Sequence, residues 1–90
     1  MSPFDADQTV TPDGTAIRGL RRRQGLSRRA FLQVVADVSY RESGLRETIS
    51  RNLLEGIEEA NEPVTYAILC RVAGGLDADP VTLVRAWQGN

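Results

Sequence analysis

The chain contains no histidine and no lysine, and a single cysteine, Cys70. Without histidine, zinc sites built from Cys and His are excluded, and so are nucleophile–histidine pairs of the triad kind. One cysteine cannot form an internal disulfide. No apolar run approaches the roughly 20 residues of a membrane span. The opening residues, MSPFDADQTV, are acidic and polar and do not read as a secretory signal, so the expected location is cytoplasmic. Alternating strand patterns, repeats and low-complexity tracts are also missing. No Gly-rich phosphate loop of Walker or dinucleotide type is present; AGGL lacks both the spacing and a preceding strand. Glu58 and Glu59 are adjacent, so on a helix they point apart and do not form a catalytic carboxylate pair. These absences leave no expected catalytic residue, metal or cofactor, and argue against an enzyme.

What is present is a 90-residue chain with an ordinary apolar content of 41%, enough for one small core. All eleven basic residues are arginine. Codon bias in a GC-rich genome is one explanation for the missing lysine and the favoured one; the other is functional, since arginine's planar fork suits phosphates and guanine edges. The net charge is only −1, but it is polarised. Residues 1–17 and 52–90 are acidic, whereas nine of the arginines fall within residues 18–51. A basic face of this kind is a nucleic-acid footprint that total charge conceals.

Helical spacing dominates the pattern. Residues 1–12, with Pro3 and Pro12, read as a short flexible N-terminal arm, and residues 13–90 as the folded domain. Asp13 suits an N-cap, Ile17 and Leu20 mark one helix face, and Gly25 suits the C′ position. Ser27 is the next N-cap, with Leu26 and Phe31 spaced as a hydrophobic staple. Phe31, Val34, Val35 and Val38 continue that helix's apolar face. SYRESG, residues 39–44, reads as a turn or as an extension of the second helix. Leu45, Ile49, Leu53 and Ile57 recur every four residues and predict a third helix over about residues 45–58. Pro63 separates it from a fourth, built on Val64, Ile68, Leu69, Val72 and Leu76, with Gly74-Gly75 weakening its end. Asp79-Pro80 starts a fifth. Cys70 lies on an apolar face and reads as a packed thiol rather than a redox switch.

Three stretches carry a family likeness: IRGLRRRQGLSRRAF, TISR, and EP followed by AILCRVAGGLDADPVTLV. Across about residues 14–85 the chain resembles the Xre/Cro family of helix-turn-helix domains of phage-repressor type. The resemblance implies an all-α, compact five-helix lambda-repressor-like domain. It implies a sequence-specific regulator of transcription, most simply a repressor, bound as a homodimer to a palindromic operator in double-stranded DNA. In that motif the second helix crosses the backbone and the third enters the major groove. Ser27, Arg28 and Arg29, with Arg22, Arg23 and Arg41, are then the expected phosphate contacts. Arg46, Glu47, Thr48, Ser50, Arg51 and Asn52 are the expected base readers, although Glu47 and Arg51 also have the spacing of a surface ion pair. Leu83, Val84 and Trp87 form either a dimer seam or part of the monomer's own core. Two departures stand out. Arg28 occupies a position where the family often has glutamine, and YRESGLRE is longer than the family's turn between helices 2 and 3. A second reading keeps the fold as a protein-interaction module, an antitoxin or adaptor that engages a toxin or RNA polymerase. The acidic set Glu55, Glu58, Glu59 and Glu62 motivates it.

Overall fold

Asp13 begins the helical part of the chain by accepting a 3.0 Å hydrogen bond from the amide of Ala16. The computed structural model describes residues 2–85. Helix α1 spans Gly14–Arg23, α2 Arg28–Ser43, α3 Arg51–Ala60 and α4 Tyr66–Leu76. A two-residue strand β1, Thr9–Val10, pairs antiparallel with β2, Val64–Thr65, and a single 3-10 turn covers Pro80–Leu83. The architecture is mainly helical, as expected, but the described residues form four α-helices rather than five, together with a small sheet. No helix among the described residues is long and apolar enough to cross a membrane.

Each helix starts where its cap chemistry directs. Ser27, Ser50 and Thr65 accept hydrogen bonds from the amides of Ala30, Leu53 and Ile68, satisfying donors that a first turn leaves free. Gly25 follows α1 at φ 73°, and Gly44 caps α2 at φ 79°, a left-handed geometry that glycine adopts at little cost. SYRES therefore belongs to α2, the second of the two readings the sequence left open. Ser43 Oγ donates back to the carbonyl of Ser39, and Ser39 Oγ to that of Leu45, so the serines hold the helix end and the exit from it.

The expected third helix begins six residues late. Leu45 sits in a connection, 61% exposed, and Ile49 alone of that first pair reaches the core. The connection is held without helical bonds: Thr48 Oγ1 donates to the Leu32 carbonyl, and Ser39 Oγ accepts from the Glu47 amide. Ser50 then supplies the cap that Leu45 had no neighbour to provide.

The expected flexible arm is docked instead. Val10 and Pro12 are buried, and the amides of Tyr66 and Ala67 donate to the carbonyls of Gln8 and Ala6. Residues 11–13 also meet the chain's far end, through Asp13 N to Leu83 O at 2.7 Å and Arg85 N to Thr11 O at 2.8 Å. Among the described residues the predicted fifth helix is only the 3-10 turn, because the chain turns extended at Val84 to make this pairing. Asp79 still caps it and Pro80 still opens it.

The core centres on Ile17, Phe31, Val35, Leu54, Ile57, Leu69 and Val72, all essentially sealed from solvent. Burial of each stabilises the fold by about 1.5–3 kcal/mol. Gly75, expected to weaken α4, is required by the packing. A Cβ there would lie 2.6 Å from Val35 Cγ2 and 3.0 Å from Phe31 Cε1, so glycine lets α2 and α4 close on each other. Gly14 does the same for α1 and α3, where a Cβ would strike the carbonyl oxygen of Ile57.

Candidate nucleic-acid interface

The basic block of the sequence divides into a buried part and an exposed part. Arg21 is buried, 6% exposed, and grips Glu58 with two hydrogen bonds, Nε to Oε2 at 2.7 Å and Nη2 to Oε1 at 2.8 Å. Its remaining Nη1 donates to the Leu26 carbonyl at 2.8 Å. Arg28 adds a 3.1 Å bond to Glu58 Oε1 and a 2.8 Å bond to Glu59 Oε2. Burial alone would push the Glu58 carboxyl up, but hydrogen bonds and charge from Arg21 and Arg28 outweigh it and hold the group below the ordinary carboxylate range. Burial likewise lowers Arg28, yet Glu58 and Glu59 more than offset it and raise its affinity for the proton. The end of α1, the start of α2 and the middle of α3 are thereby tied at one carboxylate.

A second, longer pair of contacts links the first residues of α2 and α3 to one carboxylate. Arg28 is the first residue of α2 and Arg51 the first of α3, and both reach the same oxygen, Glu55 Oε1, at 3.6 and 3.4 Å. Neither first turn contains an acidic residue. Beside them runs an open groove of ≈ 680 Å³, lined by Thr15, Arg18, Arg21, Arg22, Arg28, Arg51, Glu58 and Glu59. Five arginines face two carboxylates there.

The residues expected to touch phosphate fall into two groups. Arg22, Arg23, Arg29 and Arg41 are exposed, and Ser27 is exposed at its cap. Arg28, the residue expected to clamp the backbone, is engaged with three glutamates and is largely covered. It braces α2 against α3, so it is not the free cation the sequence suggested. Arg41 lies near the C-terminal end of α2, the opposite end of that helix from Arg28 and Arg29.

The residues expected to read bases are divided too. Arg46, Glu47 and Thr48 precede α3 and lie in the connection, because the helix starts at Arg51. Arg46 pairs with Asp37, Glu47 lies 3.9 Å from Arg71, and Thr48 is bonded to α2. The Glu47–Arg51 surface pair does not form, and Arg51 takes Glu55 instead. Ser50 is occupied as the α3 cap. Arg51 and Asn52 remain exposed on the first turn of α3.

Leu83 is 2% exposed and packs into the monomer core, while Val84 bridges to Pro12. Leu83 therefore belongs to the monomer's own core, the second of the two readings, while Val84 is half-buried; Trp87 lies outside the described residues. The Cys70 thiol is pushed up by burial, and further by Asp79 against a bond from Tyr66, which disfavours the reactive thiolate. Sequence reasoning missed Arg18 and the pairing of Arg21 with Glu58. Arg18 and Arg22 are four apart on α1, a spacing that marks a shared face; nothing local marks the second pairing. Among the described residues no group of acids and cysteine is arranged to hold a metal ion. Searches of protein-family models, of curated proteins and of solved structures find no match to this chain.

Proposed function

We propose that this chain is a helix-turn-helix regulator of lambda-repressor type that binds double-stranded DNA in a sequence-specific manner. The observation that carries this reading is the arginine-lined groove, bordered by Arg28 and Arg51, the first residues of two helices whose first turns hold no acid. A helix N-terminus presents free amides to an anion, and arginine forks suit phosphate oxygens. In this reading the first turn of α3 enters the major groove. Arg51 pairs with guanine O6 and N7, and Asn52 with adenine. Ser27, Arg29, Arg22 and Arg23 contact backbone phosphates on either side. The long α2 and the seven residues between α2 and α3 replace the short turn of the motif, with Thr48 and Ser39 bonding the connection to α2. A palindromic operator bound by a homodimer and a repressing outcome are what the family resemblance implies.

The interaction-module reading is the less favoured one, because three of the four glutamates that motivate it, Glu55, Glu58 and Glu59, are drawn into ion pairs within the fold.

Selection from a random duplex library, followed by a salt series on the winning sequence, tests the proposal. A defined motif is expected, with affinity falling steeply as salt rises. Arg51→Ala is expected to cost about 1–3 kcal/mol and relax preference at one base pair. Motif-free binding that disappears at physiological salt overturns it.

A further inference from the structure

The groove between α1 and α3 contains cations that neither the core nor the helix starts use. Arg18 lines it, and its Nε is buried without a hydrogen-bond partner among the described residues. A buried donor left unmade is costly, and more so when charged. Arg22, one turn further along α1, is exposed and also lines the groove. Neither arginine takes part in an ion pair among the described residues, whereas Arg21 and Arg28 beside them are saturated by glutamates. Arg51 lines the same groove and has only a 3.4 Å contact with Glu55. The Glu58 charge is neutralised twice over, so it does little to repel an anion. Arginine forks match the oxygens of a phosphoryl group in a way that the surrounding protein does not here.

We propose that Arg18 and Arg22 form a binding site for phosphate oxyanions in the groove that Arg51 also borders. Two sources share that chemistry, the successive phosphates of a nucleic-acid backbone and a soluble polyphosphate. The first source rests on the DNA-binding reading; the second stands without it.

The test titrates the full chain with tripolyphosphate by calorimetry and, by fluorescence anisotropy, with the duplex most enriched in the library selection. Arg18→Gln and Arg22→Gln are compared with Arg85→Gln, an exposed arginine outside the groove that controls for lost charge. Thermal melts check folding, and Arg22 is exposed enough that its variant keeps the fold. Arg18→Gln and Arg22→Gln are each expected to weaken phosphate binding by about tenfold or more, and Arg85→Gln by about twofold or less. If only duplex binding shows this loss, the backbone is the source. If tripolyphosphate shows it and the duplex does not bind, the site stands and the DNA-binding reading fails. If the duplex binds and neither groove variant differs from Arg85→Gln, the site is overturned and the DNA-binding reading survives. Absence of binding to either probe overturns both.

Discussion

Between α1 and α3 the helices meet through a buried ion pair and a glycine set against a carbonyl; between α2 and α4 they meet through Phe31 and Val35 closing on Gly75. Both contacts depend on a missing side chain, but they respond to different conditions. Apolar packing is non-directional and insensitive to pH. The Arg21–Glu58 contact is directional, fixes the register of α1 on α3, and depends on the charge of one carboxylate. A buried pair of this kind adds little net stability over a well-packed apolar pair, yet it is costly to break. Specific geometry is thus concentrated on the side that carries the candidate interface, and bulk cohesion on the other.

The largest expected effects separate the two sides. Glu58→Ala leaves Arg21 buried and unpaired and is expected to cost about 3–5 kcal/mol in chemical denaturation. Phe31→Ala is expected to cost a similar amount, about 3–5 kcal/mol, by opening a cavity. The distinguishing measurement is the repair: Arg21→Met combined with Glu58→Leu should recover most of the first loss. A double variant as unstable as Glu58→Ala alone would show that the charges do more than fill space.

Acid sharpens the same contrast. The Glu58 carboxyl is held below its ordinary value, so its stabilising contribution is complete above the unfolded-state value, roughly 4.3, and fades as pH falls through the folded-state value. The stability gap between the wild type and Glu58→Gln should therefore be constant near neutrality and narrow below about pH 4. A gap that stays level down to pH 3 would refute the assignment, while Phe31→Ala should show no such narrowing.

Alanine at the two glycines gives the next effect, about 1–3 kcal/mol each from overpacking. Gly14→Ala should be the worse, because its obstacle is the backbone carbonyl of Ile57 rather than side chains that can turn aside. Ser50→Ala should cost about 1 kcal/mol through the lost α3 cap. Arg46→Ala should change stability by less than about 0.5 kcal/mol, since its pair with Asp37 is half exposed on both sides. A larger loss there would mean that the connection before α3 is braced more firmly than its exposure indicates.

The starts of α1 and α2 were legible because Asp13 and Ser27 are strong caps followed by apolar residues at helical spacing, and cap and spacing are properties of a few neighbouring residues. The start of α3 was not. Leu45 and Ile49 continue a four-residue period, and only the bonds from Ser39 and Thr48 to distant backbone show that this period is not helical there. The site was legible in part for the same reason. The exposed arginines at helix starts follow from local sequence, whereas the engagement of Arg28 by three glutamates does not.

By itself the sequence determined that the chain is mainly helical, where most of its helices are capped, and that positive charge gathers in its first half, because each depends on residues within a turn or two of one another. Only the tertiary structure decided that the N-terminal segment docks as a strand, that Leu83 closes the core, and that Arg21 meets Glu58. That last pair is separated by 37 residues, and no local pattern encodes which charge will be buried against which. Burial and partnership are properties of the packed chain, and they decide which arginines hold the fold together and which remain free to meet a phosphate.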